Sequence, residues 1–331
     1  MKNNHYDVII IGAGPAGASC ANELVKNGVK TLVIEKKKMP RNKCCAGFLT
    51  ERAFQFVESN FNKIPDNLYC KSKQLQIGIS KRGKHFYILS DIFKNLKRAY
   101  FDHWLIKCSK VKILEGCSFI TADIQNNSIN IQCKLNDNTD QIFQCKYLIG
   151  ADGANSKVRK LIDNSYNNKN NFTIIQKIYK GIFNIDDEHY YLAYSKKFTN
   201  DCFAFYLKKD DLYYIGTGWS GKNNNYLNKW FDFLKEQHNF ELKHIRTECC
   251  LMEKFLNGNN YFFGRNRILI CGEAGGLINP YGEGISSALI SGKYIAESLI
   301  KNFKNALPIY EDKIQQEISF LKTQAINSKI F

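Results

Sequence analysis

The sequence predicts an α/β protein in which a nucleotide-binding domain with a parallel sheet is interleaved with an α+β domain built on a mainly antiparallel sheet. Three observations lead there. An apolar run, a glycine-rich turn and a helix-length segment open the chain between Tyr6 and Lys36. Two further clusters of glycine and acid stand near its middle and its end, at Gly150 to Lys160 and at Cys271 to Leu289. Between those two lies a stretch rich in Tyr, Phe and Ile, Phe172 to Gly218, with strand-like alternation. Nucleotide-type segments at both ends and in the middle require domains woven together along the chain. The expected division is 1-71, 91-170 and 256-331 for the nucleotide domain, and 72-90 with 171-255 for the other. With 331 residues, 44% of them hydrophobic, the chain can bury cores of this size.

The opening unit has the order of a Rossmann-like βαβ site: Val8 to Ile11, then Gly12-Ala13-Gly14-Pro15-Ala16-Gly17, a helix, and Thr31 to Ile34 ending on Glu35. Gly12 permits the turn out of the strand, Gly14 lets backbone approach a pyrophosphate, and Gly17 lets helix and strand pack closely. The pyrophosphate would rest on the free N–H groups of the helix N-terminus, beside Pro15 and Ala16. Glu35, with Lys36 after it, lies at the distance expected of an acid that binds the adenosine ribose. A second GxGxxG, Gly216 to Gly221, is followed by Lys-Asn-Asn-Asn and by no strand ending in an acid. It is expected to be a sheet-end turn, which leaves one dinucleotide site.

After Glu35 come a basic loop and the small residues Cys44 to Gly47, then a helix over Thr50 to Asn60. Gln74 to Ser80 and Lys84 to Leu89 alternate around Lys81-Arg82-Gly83, a hairpin pattern. A helix is expected over Asp91 to Lys107. Strands are expected at Val111 to Leu114, Ser118 to Ile124, Ile129 to Leu135 and Ile142 to Leu148, leading into Asp152-Gly153. Four antiparallel strands come next: Phe172 to Phe183, Tyr190 to Ser195, Cys202 to Leu207 and Leu212 to Gly218. Asn223 to His238 is a covering helix, Arg267 to Cys271 a short strand, and Gly284 to Lys301 and Pro308 to Thr323 the closing helices.

A net charge of +16 invites a nucleic-acid reading, but the lysines are scattered among asparagines along the whole chain. Nucleic-acid binding is therefore not expected; the charge suits an acidic partner, such as an electron-carrier or acyl-carrier protein, or at most peripheral membrane contact. The 12 cysteines include no CxxC pair, and several sit within apolar strands, which points to a reducing, cytoplasmic setting. The six histidines are isolated from one another, so no metal site is expected. There is no apolar run long enough to span a bilayer, and the first strand follows Met1 too closely for a signal peptide.

Taken together, GxGxxG, then GADGANSKVRK at Gly150 to Lys160, then CGEAGGLINPYGEGISSAL at Cys271 to Leu289 resemble the three-part FAD signature of the p-hydroxybenzoate-hydroxylase-like flavoproteins. The resemblance implies that Asp152-Gly153 braces the pyrophosphate region. It implies that Glu273, where the family has an aspartate, faces the ribityl chain. It also implies that Gly275, Gly276, Gly282 and Gly284, with Ile285 after them, let backbone pass close to the flavin, and that the helix starting near Gly284 aims its positive end at the ring. Lys43-Cys44-Cys45-Ala46-Gly47-Phe48-Leu49-Thr50-Glu51-Arg52-Ala53 is similar to the K-P-C-G-G-x-L-S-x-R-A segment of the geranylgeranyl reductase family. There Cys45 matches the family cysteine and Ala46-Gly47 its glycine pair. Arg98 with Phe101-Asp102 matches R-x-x-F-D, whose arginine contacts FAD, and Phe203-Ala204-Phe205-Tyr206 echoes the family's aromatic substrate motif. The W-x-W-x-I-P segment of flavin halogenases, which share the fold, is absent.

The expected function is an FAD-dependent reductase or dehydrogenase. It would transfer hydride between flavin N5 and a C=C or C–C bond of an apolar, isoprenoid-like or carrier-linked small molecule. Cys45 is the candidate catalytic group; Phe203, Phe205, Tyr206, Tyr214 and Pro280 are the candidate substrate pocket. The electron donor would be NAD(P)H or a reduced ferredoxin or flavodoxin. Two alternatives use the same motifs: an FAD-dependent monooxygenase of a small aromatic or apolar substrate, and a flavin-binding redox sensor without turnover.

Overall fold

The computed structural model describes residues 4–125, 128–167, 171–200, 202–254 and 261–328. Along the chain run β1 (His5–Ile11), α1 (Pro15–Lys26), β2 (Thr31–Glu35), β3 (Phe48–Leu49), α2 (Glu51–Asn60), β4 (Tyr69–Ser80), β5 (Tyr87–Ile88), β6 (Phe93–Leu96) and α3 (Arg98–Cys108). They continue through β7 (Lys112–Glu115), β8 (Cys117–Ile124), β9 (Ile129–Leu135), β10 (Asp140–Gly150), α4 (Lys157–Ile162), β11 (Asn171–Ile182), β12 (His189–Ala193), β13 (Ala204–Lys209) and β14 (Leu212–Trp219). Last come α5 (Tyr226–His238), β15 (Glu241–Glu253), β16 (Gly264–Arg265), β17 (Ile268–Ile270), α6 (Ile285–Lys301), α7 (Ala306–Lys313) and α8 (Gln315–Ser328).

The first sheet has a parallel core in the order β17-β10-β1-β2-β7. Its strands are apolar throughout because both faces are covered. Val8, Ile10 and Val33 face the helices α1, α3 and α6, while Ile9, Ile11, Leu32 and Ile34 face the layer formed by β8, β9 and α4. The strand order turns back at β1 and β10, and at such a switch point the loops leaving the carboxyl ends part to form a crevice.

The second sheet runs β15-β11-β14-β13-β12-β4-β6-β3, antiparallel except where β12 pairs β4. Alternation along β13 divides its side chains between two cores. Ala204 and Tyr206 lie under α5 with Trp230 and Leu234; Phe205 and Leu207 face the other way, toward Cys44 and Tyr190. Trp230 fixes α5 to the sheet by donating from Nε1 to the Phe205 carbonyl at 3.0 Å.

Four expectations change. Asp91 to Lys107 is not one helix: Phe93–Leu96 is a strand held between β3 and β4, and the helix starts at Arg98. Pairing with strands on both sides overrides the helical pattern, although Ser90-Asp91 offers a helix start signal. β3 and β6 thereby hydrogen-bond into the second sheet although residues 48–49 and 93–96 fall within the expected nucleotide domain. Glu241–Glu253, for which the sequence suggests no element, is a 13-residue strand paired with β11 along its length. Pro308 to Thr323 divides into α7 and α8 at Ile314. The second GxGxxG begins inside β14 and opens no helix, as expected.

Candidate active site

The crevice is lined by the segments at the carboxyl ends of four parallel strands. Gly12 leaves β1, Glu35 ends β2, Ala151-Asp152-Gly153 leave β10, and Cys271-Gly272-Glu273 leave β17. The ends are stitched together: Gly12 N–H donates to Ile34 O, Ala151 N–H to Ile11 O and Cys271 N–H to Gly150 O, at 2.9–3.0 Å. Two glycines of the first motif, Gly12 and Gly17, stand where no side chain fits. A Cβ on Gly12, whose φ is +107°, would sit 2.4 Å from Ala151 O, and one on Gly17 would sit 2.0 Å from Gly12 O. One on Gly14 would meet only Arg41 Nη2, at 3.6 Å. The turn and the packing thus exclude side chains, whereas the approach to Gly14 stays open for a ligand, with Pro15 opening the helix behind it.

Glu35 is buried and holds the turn from beneath, accepting from Ala13 N–H and Lys37 N–H at 3.0 Å each. Arg41, which no sequence motif marks, stands in front. It lies 3.4 Å from Glu35 and 3.3 Å from the fully buried Asp102, and brings its guanidinium to the open side of Gly14. That is a setting for an anion, with helix amides behind and a cation ahead. Lys36 is exposed on the rim.

The middle motif has a job within the chain at the start of α4. Asp152 accepts from Lys157 N–H at 2.7 Å, from Val158 N–H at 3.3 Å and from Ser156 Oγ, so its carboxylate caps α4. Gly153 beside it has φ +79°, and an added Cβ there would meet only Glu273 Oε2, at 3.9 Å. Glu273 accepts from Glu253 N–H at 3.0 Å, and its neighbours Gly275 and Gly276 close the tight turn after it. Glu253 is buried, with one carboxyl oxygen lacking a hydrogen-bond partner and the other 3.9 Å from Arg159. Burial pushes this acid up to about 8; Arg159 opposes the rise and Glu273 adds to it.

The third motif also brings α6 against α1. Ser19 Oγ donates to Leu289 O at 2.6 Å, and a Cβ on Gly292 would lie 2.2 Å from Ala16 O. Asn279 accepts from Tyr281 N–H and Glu283 N–H, shaping the loop that carries Pro280 and Gly282. Gly284 is the N-cap of α6 and Ile285 its first residue. Glu283 accepts from Ser286 N–H at 2.8 Å, so part of the helix's positive end is met from within the chain.

Cys45 lies where crevice and second sheet meet. Its sulfur receives the Gly47 N–H at 3.3 Å and Arg98 Nη1 at 3.2 Å, and Arg98 is fixed in turn by Asp102, 2.7 Å from Nε. Gly47 has φ +73° and no room for a side chain beside Leu96 O and Lys209 Nζ. Lys209 is buried on β13 and donates to the carbonyls of Ala46 and, at 2.7 Å, Leu96. Burial lowers its pKa.

Behind Cys45 stands an apolar wall. Phe203 and Phe205 pack at 6.1 Å between ring centres, Tyr190 joins Phe205 at 5.7 Å, and Phe48 joins Tyr190 at 5.6 Å. Tyr214 belongs to the same cluster. A Cβ on Gly282 would meet Met252 at 3.3 Å and Phe203 at 3.9 Å, so the Pro280–Gly282 loop lies against this wall. Tyr206 is not part of it. It lies on the other face, stacked on Tyr191 at 4.7 Å under α5, because neighbours on a strand point apart. Among the described residues no group of three or more His, Cys, Asp or Glu side chains is placed to hold a metal ion, and no helix is long and apolar enough to cross a membrane.

Residues 6–181, more than half of the chain, match the family profile described as pyridine nucleotide-disulphide oxidoreductase. An uncharacterized protein of Methanosarcina barkeri is 36% identical over 162 residues, 47% of this chain and 39% of that protein. Protein CbrA of Escherichia coli O157:H7 is 25% identical over 320 residues, 90% of this chain and 85% of CbrA. The chain thus aligns with well under half of the first relative's length and with most of the second's. Among solved structures, a geranylgeranyl bacteriochlorophyll reductase-like protein from Thermoplasma acidophilum superposes with a TM-score of 0.81 at 18% identity, over 98% of this chain and 85% of that one. Aklavinone-11 hydroxylase, solved with FAD and aklavinone, gives 0.70 at 14% identity, over 92% of this chain and 63% of that one. At such identities the likeness is one of fold, and the fold is the p-hydroxybenzoate-hydroxylase-like fold of FAD-dependent oxidoreductases.

Proposed function

Because this chain belongs to the pyridine nucleotide-disulphide oxidoreductase family and is an FAD-dependent oxidoreductase, we propose that it acts as a reductase or dehydrogenase of a C=C or C–C bond in an apolar, isoprenoid-like or carrier-linked small molecule. The observation that carries this reading is Cys45, a thiol held by Arg98 and Gly47 at the join between the dinucleotide crevice and an apolar wall.

The crevice fits FAD: Gly14 and Gly153 leave open backbone, and Arg41 faces the first of them. Gly12, Gly14 and Gly17 with Glu35 and Arg41 would hold the adenosine and pyrophosphate end. Gly153, Glu273 and the turns at Gly275, Gly276, Gly282 and Gly284 would line the rest. When bound, FAD supplies the two-electron chemistry, as hydride accepted or given at N5. Phe203, Phe205, Tyr214 and Pro280 would bind the substrate and exclude water. The Cys45 thiol would hold or deliver the proton at the carbon next to the one that exchanges hydride. The electron donor in this reading is NAD(P)H or an acidic ferredoxin or flavodoxin, whose charge suits a protein of net charge +16.

Anaerobic bleaching of the bound flavin by a panel of donors, followed by reoxidation with unsaturated apolar and carrier-linked substrates, tests the proposal. Reoxidation with saturation of a C=C bond, slowed in Cys45→Ser at unchanged FAD content, supports it. Incorporation of an atom of dioxygen into the product overturns it in favour of a monooxygenase. A flavin that no donor and substrate pair turns over overturns it in favour of a redox sensor.

A further inference from the structure

We propose that Cys44 and Cys250 form a redox-active thiol pair that closes to a disulfide on exposure to a hydroperoxide, fastening the loop that carries Cys45 to the second sheet. The pair joins elements far apart in the chain. Cys44 is buried in the loop before β3, while Cys250 lies on β15 opposite Ile174 of β11. The contacts interlock: Cys250 Sγ is 3.6 Å from the Cys44 carbonyl, and Cys44 Sγ is 4.0 Å from the carbonyl of Ile174, the cross-strand neighbour of Cys250.

Their surroundings make them unequal. The Cys44 thiol stabilises a thiolate on Cys250; burial opposes this, Lys43 and Arg98 favour it, and Glu273 opposes it. Cys44 is pushed far the other way, by the neighbouring Cys250 and by burial. Cys250 is also the less buried of the two, so it is the nucleophile that meets the peroxide and Cys44 is the resolving thiol. In the first step the Cys250 thiolate attacks the hydroperoxide. An S–O bond forms, the O–O bond breaks, and Cys250 becomes a sulfenic acid as hydroxide or alkoxide leaves. In the second step the Cys44 sulfur attacks Cys250, the S–O bond breaks, and the hydroxyl departs as water with the Cys44 proton. The two sulfurs lose one electron each, and the peroxide gains both.

A second thiol pair supplies a control. Cys117 and Cys133 are diagonal neighbours on the paired strands β8 and β9. They are buried in the core of the first sheet, with no cation among the causes that shift them.

The experiment treats the purified holoenzyme with a few equivalents of hydrogen peroxide, alkylates free thiols, digests without reductant and reads the peptides by mass spectrometry. The expected product is a Cys44–Cys250 linked peptide lacking two hydrogens, reversed by dithiothreitol, with two of the 12 thiols lost and Cys117 and Cys133 still alkylated after denaturation. Cys44→Ser should leave a sulfenic acid on Cys250 that dimedone traps, and Cys250→Ser should abolish both the link and any trapping at Cys44. Circular dichroism and FAD content confirm that each variant is folded. A link formed by Cys45 instead, first trapping at Cys44, or recovery of all 12 thiols overturns the proposal.

Discussion

Arg98 Nη1 lies 3.2 Å from the sulfur of Cys45, and the same guanidinium is locked by Asp102 through Nε at 2.7 Å. The thiol therefore faces a cation that cannot swing away, and Asp102 balances both Arg98 and Arg41 from a fully buried position. Arg98→Met should leave Asp102 with Arg41 alone. Removing one partner of a buried pair costs about 3–5 kcal/mol, so urea unfolding should show a loss of that order. Arg98→Lys, with charge but no fork, should recover part of it, and Cys45 should react with iodoacetamide at altered rates in both.

The glycines of the first turn should separate by mechanism. Gly17→Ala places a methyl 2.0 Å from a backbone oxygen and should unfold the turn, seen as a fall in Tm of the apoprotein. Gly14→Ala meets only an arginine tip at 3.6 Å. Its apoprotein should keep its Tm, while FAD affinity, read by flavin fluorescence, falls at least about tenfold because backbone approach is lost.

Glu253 should make stability depend on pH. Its folded pKa, about 8, lies above the ordinary glutamate range, so the folded state holds a proton that the unfolded chain has released. Its contribution is intact below that range and is lost as pH rises to about 8. Glu253→Gln removes the effect. The difference between variant and parent should shift toward the variant by up to about 1.4 kcal/mol per pH unit inside this window and stay flat above it. Urea unfolding at several pH values measures it, and a constant difference would show that Glu253 does not titrate there.

Lys209→Met keeps the apolar stem but withdraws the donor from Ala46 and Leu96. A net loss of about 1–3 kcal/mol is expected, together with faster alkylation of Cys45, whose loop loses its anchor. Unchanged Cys45 reactivity would show that Gly47 and Arg98 alone hold the thiol.

Local pattern carried much of this architecture. Ile129–Leu135 stands as a strand over the residues its alternation marks, and Gly12 and Gly17 pack too closely for a side chain, as their spacing implies. β15 was hidden because most of its residues are partly or fully exposed, which leaves no apolar alternation to find. The break at Ile314 carries no Gly or Pro. Lys209, Cys250 and the pairing of Arg41 with Asp102 were illegible for another reason: the partners are distant in the chain, 163 residues apart for Lys209 and Ala46. Tyr206 shows the reverse failure, since an aromatic motif does not tell which of two adjacent rings faces the wall.

The seam between α1 and α6 sets an order of events during synthesis. Ser19 and its acceptor Leu289 are separated by 270 residues, so the first turn leaves the ribosome long before the helix that packs on it. Flavin capture is then a late step, completed only when the end of the chain folds back onto its beginning. Nascent chains arrested ahead of α6 should stay colourless, and those arrested well beyond it should take up FAD.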